Sequence, residues 1–187
     1  MGKLLVFNFV TLNGFFKGPG EDISWHKNQP EDQEKSAYGL EGANSGGILL
    51  FGRVTYTMMA SFWPSPEAKK LMPAIAEGMN KSEKIVFSRT MKKADWNNTR
   101  VVKDNMIEEI KKLKKTSDKG MCILGSGSIT NQLAEAGLID EYQFMVDPVA
   151  IGEGTPLFNG IGQKLELKLT GTKSFKSGVV LLTYQPA

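Results

Sequence analysis

Apolar residues fall into short blocks of strand length, and between the blocks they recur every third or fourth position. Residues 3–10, rich in Leu, Val and Phe, read as a buried strand. Residues 47–51, 83–88, 99–102 and 121–124 are further blocks of this kind. Helices are predicted between them. One starts at Pro30, which suits a first helical position, and runs to about residue 43, with Glu31, Asp32 and Glu34 near its positive end. A second covers 53–60 and is stopped by Trp63, Pro64, Ser65 and Pro66. A third starts at Pro66 and runs toward Gly78 through a kink at Pro73. Asp104 is placed to cap a fourth, whose Ile107, Ile110 and Leu113 share a face. A fifth carries Ile129, Leu133 and Ala136 at helical spacing.

After Gly137 the pattern changes. Residues 141–149 form a long strand block, 165–172 alternate apolar and polar, and Ser177 with Gly178 turn the chain into a last strand at 179–184. Alternation with short turns means antiparallel pairing. Strand–helix alternation followed by strands alone predicts an α/β fold. Its mostly parallel sheet lies in a three-layer arrangement with helices on both faces and an antiparallel C-terminal edge. A length of 187 residues suits one domain, 1–187, around a single core.

The block at 121–124 runs into Gly125, Ser126, Gly127 and Ser128 before its helix opens. A strand that ends in small residues and starts a helix presents backbone N–H groups and the positive end of a helix dipole, which suits a phosphate. A tight turn without a ligand is the other reading of this stretch alone. Ligands of open α/β sheets bind beyond the carboxyl ends of the strands. Thr11, Gly52, Ser88 and Gly125 all fall at such ends.

Composition narrows the classes. Hydrophobic (41%) and charged (23%) fractions are those of an ordinary globular protein, and the net charge is only +3. The densest basic group, in residues 111–115, reads as the solvated face of a helix, so no nucleic-acid partner is expected. No apolar run reaches membrane-span length and the N-terminus lacks signal-peptide features, so a cytoplasmic protein with no membrane partner is expected. A single cysteine, Cys122, and a single histidine, His26, leave no disulfide and no cysteine- or histidine-rich metal site within the chain. Cys122 reads as a buried structural residue. Residues 15–30 read as a functional loop, in which Trp25 either closes over something apolar or joins the core. His26 is a loop residue or a proton relay.

Taken in order, several marks resemble the dihydrofolate reductase superfamily. They are Thr11, Leu12, Asn13 and Gly14; Leu50 through Tyr56; Lys84 through Thr90; Ile123 through Ser128; Ala136 through Tyr142; and Gly152 through Phe158. They look most like the branch containing the C-terminal reductase domain of the bifunctional riboflavin-biosynthesis deaminase-reductases. The resemblance implies an eight-stranded, mainly parallel sheet that binds NADPH in an extended form. It places Gly52, Arg53 and Thr55 at a helix N-terminus near the phosphates. Arg53, Ser88 and Arg89 would hold the adenosine 2′-phosphate, and Gly125, Ser126, Gly127, Ser128 and Ile129 the pyrophosphate. Thr11 and Gly14 join this cofactor set, and the loop 12–18 would face the nicotinamide. Permanently charged, bidentate arginines suit a phosphate monoester, which favours NADPH over NADH. Dimerisation is expected from the riboflavin-type relatives, with the late strands and the loop 152–158 as candidate contacts.

The sequence also departs from the family. The helical carboxylate that faces the pterin in dihydrofolate reductases falls near Ser36, so Asp32 is only a weak catalytic candidate, with Trp25 beside it. Ser126 replaces the second glycine of a Gly-Gly pair that carries a cis peptide in the reductases. Three acids typical of the riboflavin-pathway enzymes are missing: Asn13, Leu124 and residues 57–60 stand in their places. The substrate side would instead be apolar and aromatic, from Phe15, Trp25, Tyr56 and Met59, with Trp63 nearby. The expectation is an NADPH-dependent reductase that transfers hydride to a small heterocyclic or sugar-derived substrate. The alternatives are 5-amino-6-(5-phosphoribosylamino)uracil reductase in riboflavin biosynthesis and a non-catalytic NADPH-binding protein.

Overall fold

The computed structural model describes residues 2–27 and 31–187. The predicted helix start at Pro30 lies outside them. The described residues form ten strands: β1 (Leu4–Thr11), β2 (Phe15–Lys17), β3 (Ile48–Gly52), β4 (Glu83–Phe87), β5 (Thr99–Val102), β6 (Met121–Leu124), β7 (Glu141–Asp147), β8 (Thr155–Pro156), β9 (Leu167–Ser174) and β10 (Val180–Pro186). Six α-helices join them: α1 (Gln33–Ala43), α2 (Arg53–Phe62), α3 (Pro66–Leu71), α4 (Pro73–Lys81), α5 (Met106–Thr116) and α6 (Gly127–Glu135).

Eight strands form one sheet in the order β5-β4-β3-β6-β1-β7-β10-β9. The first six are parallel, and β10 runs antiparallel to both β7 and β9. The central strand β3 is buried at every position, as both covered faces require. Alternate side chains then feed different cores. Leu4, Val6, Ile48, Leu50 and Ile123 pack with Ile110 of α5 and Leu133 of α6. On the opposite face, Leu49 and Phe51 pack with Tyr56 of α2 and Met79 of α4, while Met145 and Leu181 meet Phe7, Phe9 and Tyr38 of α1. Helices therefore cover both faces, and the fold is the one expected.

Three local expectations change. Pro73 divides the third predicted helix instead of kinking it: Met72 takes φ −141° and ψ 62°, because a residue before proline is pushed out of the helical region. Asp104 does not cap α5. The N-cap is Asn105, in the left-handed region at φ 57°, without a side-chain hydrogen bond. The stretch read as one long loop contains β2 and a short 3₁₀ turn at Pro19–Glu21. Strand β2 pairs antiparallel with β8, a piece of the predicted glycine-rich loop, so that part of the candidate dimer contact is used within the chain.

Candidate functional site

The carboxyl ends of β3, β4 and β6 open into a cleft of about 540 Å³. Its floor is built from two helix starts. Helix α2 begins directly after Gly52, and α6 directly after Ser126. Neither N-cap makes a side-chain hydrogen bond, and neither first turn holds an acid. The unsatisfied N–H groups of both helices, and the positive ends of both dipoles, are thus left for something else. By contrast, α1 and α3 are capped by the side chains of Asp32 and Ser65, with Glu34 and Glu67 in their first turns.

Ser126 ties the two starts together. It sits in the left-handed region at φ 61°, next to Gly125 at φ 60°, and its hydroxyl accepts a hydrogen bond from the Gly52 N–H at 2.8 Å. No cis peptide bond occurs among the described residues, so Gly125–Ser126 is trans. Gly127 keeps the cleft open: a Cβ there would lie 3.1 Å from the Leu157 carbonyl oxygen and 3.2 Å from the Phe16 ring. Arg53 and Arg89 stand at the rim with Ser88 and Thr90. Arg89 makes only a long, exposed ion pair of 3.7 Å with Asp104. Asn131 forms part of the wall. Its amide donates to the Asn159 carbonyl at 2.6 Å, and its buried Oδ1 has no partner among the described residues.

Eight residues singled out in the sequence meet at this cleft: Gly52, Arg53, Thr55, Ser88, Arg89, Ser126, Gly127 and Ser128. Four others do not line it. Gly125 backs onto Thr55, and Ile129 is a core residue 4% exposed. Thr11 is buried at the end of β1. Its hydroxyl donates to Asn13 Oδ1 (2.9 Å) and accepts from the Phe15 N–H (3.0 Å), while Gly14 forms the turn at φ 86°. Asn13 braces the loop after β7, donating to the Ile151 carbonyl and accepting from its N–H.

On the proposed substrate side the residues divide. Tyr56 is 4% exposed and packs between Phe51 and Trp96, and its hydroxyl accepts from the Trp96 N–H at 3.0 Å. It is a core residue under α2, not a cleft residue. Met59 is half-buried against the same core and receives the Trp63 indole N–H on its sulfur. Phe15 is half-buried in β2 and packs over Gly154. Trp25 is half-buried, with its Nε1 buried and unpartnered.

Asp32, the weak catalytic candidate, caps α1. Its two oxygens accept from the backbone N–H groups of Lys35 (3.1 Å) and Ser177 (2.8 Å). Hydrogen bonding from Ser177 is the main cause that holds its carboxyl below the usual range, which opposes proton donation at neutral pH. Cys122 faces the core, and burial pushes its thiol up to about 12, which suits the structural reading. No sequence pattern singles out Asn131 or Asn159 for the cleft; Phe16, Lys17 and Glu21 belong to the stretch 15–30 read as a functional loop, and Leu157 to the loop 152–158. All of these except Asn131, which lies on α6, arrive through the β2–β8 pairing and the segments after its two strands, and no local pattern encodes that meeting.

The model of the RibD C-terminal domain matches residues 2–181. The chain belongs to that family. It is also similar to uncharacterized protein YyaP of Bacillus subtilis, 32% identical over 176 residues that cover 94% of this chain and 90% of that one. Among solved structures it is similar to the "Putative riboflavin biosynthesis protein" of Shewanella sp. PV-4, with a TM-score of 0.75 and 22% identity over 99% of both chains. Dihydrofolate reductase from Enterococcus faecalis, complexed with NADP(H), superposes with a TM-score of 0.66 at 17% identity, covering 99% of this chain and 96% of that one. The RibD C-terminal domain chain thus has a dihydrofolate reductase-like fold. Among its described residues, no helix is long and apolar enough to cross a membrane.

Proposed function

We propose that this protein is an NADPH-dependent reductase that delivers hydride to a small heterocyclic or sugar-derived acceptor. One observation carries the reading: two uncapped, acid-free helix starts converge on one cleft whose rim holds Arg53 and Arg89. A dinucleotide supplies what that arrangement lacks. Its pyrophosphate suits the N–H groups that begin α2 and α6. Its 2′-phosphate suits the two guanidinium groups beside Ser88 and Thr90. The close approach left by Gly127, and the unpartnered Asn131 Oδ1, fit a ligand with hydroxyl or amide donors. Family membership and the NADP(H) complex of the Enterococcus faecalis enzyme support the same cofactor. When bound, NADPH supplies the hydride; the chain binds it, orients it and excludes water.

Membership of the RibD C-terminal domain family favours a second reading, reduction of 5-amino-6-(5-phosphoribosylamino)uracil. The substitutions weigh against it. Asn13 is spent on bracing Ile151, and Leu124 packs against an apolar core. An uncharged ring acceptor suits that lining better than a ribose phosphate.

Titration with NADPH and NADH, read by nicotinamide fluorescence, tests the reading. At least a tenfold preference for NADPH is expected, and Arg53→Ala and Arg89→Ala should each remove most of it. Equal affinity for the two nucleotides, or no binding of either, would overturn the assignment. A screen with dihydrofolate and the phosphoribosyl-pyrimidine then separates the two substrate readings and the non-catalytic one. The expected homodimer is checked by sedimentation of the same sample.

A further inference from the structure

We propose that His26, oriented by Asp147, is the acid that protonates the acceptor as hydride arrives; the inference rests on the cofactor reading above. His26 Nδ1 lies 3.1 Å and 3.0 Å from the two oxygens of Asp147. The Asp147 side chain is 6% exposed and the imidazole 20%. The ring stacks on Phe9 with centroids 3.7 Å apart and an interplanar angle of 28°. Trp25 meets its edge with centroids 6.1 Å apart, and the buried indole N–H of Trp25 has no partner among the described residues. A surface histidine is not held on three sides in this way.

Placement ties the pair to the site. Asp147 ends β7 in register with Thr11, which ends the parallel strand β1. By alternation Phe9, Thr11, Met145 and Asp147 share one face, and Thr11 and Asp147 end at the carboxyl edge of the sheet that also carries the cleft, beyond the cleft's own lining. From Ser88 beyond β4 to Asp147 the strand order crosses β3, β6 and β1. Four interstrand steps of roughly 4.8 Å make about 19 Å. That is room for an extended dinucleotide with its phosphates at one end and the acceptor at the other. Asp32 is committed to two backbone N–H groups, Asp22 to the Ser24 N–H, and Glu21 to Lys17. Among the described residues, Asp147 from β7, Phe9 from β1 and Trp25 from its own loop contact the His26 ring. From α1, Lys35 bonds the carbonyl of the adjacent Lys27.

With Nδ1–H donating to the Asp147 carboxylate, the mobile proton is on Nε2. With NADPH as reductant the step balances. The acceptor carbon of a C=N or C=O gains hydride, and its π pair moves to the heteroatom. The heteroatom takes the proton of Nε2, and the N–H bonding pair stays on nitrogen. His26 becomes the neutral Nδ1–H form that Asp147 already holds, so nothing must reorient. Water returns the proton.

Because His26 is the single histidine of the chain, its Cε1–H NMR resonance is assigned without mutagenesis. Saturating NADPH, added to the full chain, should move that resonance. Bound NADPH that leaves it in place would overturn the proposal but not the cofactor reading. Absence of NADPH binding would overturn both. With dihydrofolate or the phosphoribosyl-pyrimidine as acceptor, His26→Gln should lower kcat by about 10²–10⁴ while KM and NADPH affinity hold. It should also abolish the alkaline fall of kcat. Asp147→Asn, in which the positioning residue loses its charge, should lower kcat at least tenfold at constant KM, and Asp147→Glu should restore part of it. An unaltered pH profile in His26→Gln would sink the assignment. If neither acceptor is reduced, the resonance decides alone.

Discussion

The hydroxyl of Ser126 accepts the backbone N–H of Gly52 across the ends of two neighbouring strands. A glycine at that position would meet the left-handed backbone at no cost but would leave the Gly52 N–H without its partner. Serine makes the opposite compromise. Ser126→Ala keeps the backbone penalty and loses the bond, so it should destabilise by about 1–3 kcal/mol. Ser126→Gly should cost less, since it relieves roughly 1 kcal/mol of left-handed strain. Urea denaturation of both variants checks the order; a Gly variant less stable than the Ala variant would refute the relief of left-handed strain, since neither variant keeps the hydroxyl bond.

Gly78 gives a prediction opposed to helix propensity. It lies inside α4, where alanine is normally better by about 1 kcal/mol. A Cβ there would sit 2.6 Å from the Ala43 carbonyl oxygen and 2.8 Å from Asn44 Oδ1, at the end of α1. Backbone cannot yield cheaply, so Gly78→Ala should be net destabilising by about 1–3 kcal/mol. Thermal unfolding distinguishes the signs.

Lys84 is fully buried, its ammonium capping the Ser82 and Asn80 carbonyls and lying 4.5 Å from the Trp96 ring centroid. Burial pushes its pKa from 10.5 down to about 8. The folded state therefore binds fewer protons than the unfolded chain between those values, and stability attributable to Lys84 rises with pH across that window. The gain is of order 3 kcal/mol, since each pKa unit is worth about 1.4 kcal/mol. Lys84→Met should remove this rise. Paired urea titrations at pH 7, 9 and 10.5 measure the difference, and parallel curves for the two proteins would refute it.

Phosphate binding by Arg53 and Arg89 should be sensitive to salt, because both lie at an open rim. The Debye length falls from about 10 Å at 0.1 M to about 3 Å at 1 M. NADPH affinity should weaken over that range, and NADH affinity should change less. Fluorescence titrations at the two ionic strengths test this; equal slopes would place the 2′-phosphate elsewhere.

Much of the fold was legible because its signals are local. Residues 99–102 and 121–124 stand out as apolar blocks, and the observed β5 and β6 have those bounds. The helix starts at Gly52 and Ser126 follow from small residues after such blocks. What the sequence hid was contact between remote segments. Tyr56 looks like a ligand-facing aromatic until Phe51 and Trp96 close around it. Asp104 looks like a cap, yet Asn105 tolerates the left-handed turn that the chain makes there. Asp147 sits inside an apolar strand block, and nothing in its neighbourhood points to a histidine on a distant loop.

The β2–β8 pairing has a consequence for how the cleft is entered. Two strands of three and two residues form the smaller of the two sheets among the described residues, and they are separate from the eight-stranded one. A ribbon of that size is marginal by itself. Its opening need not disturb β1 or β6, so this wall belongs to the low-free-energy end of local unfolding. Amides of residues 15–17 and of Thr155 should exchange with deuterium far faster than those of β3, and slow when the cleft fills. Access to the site is then governed by a subglobal fluctuation of one wall, while the rigid sheet beneath keeps the helix starts aligned.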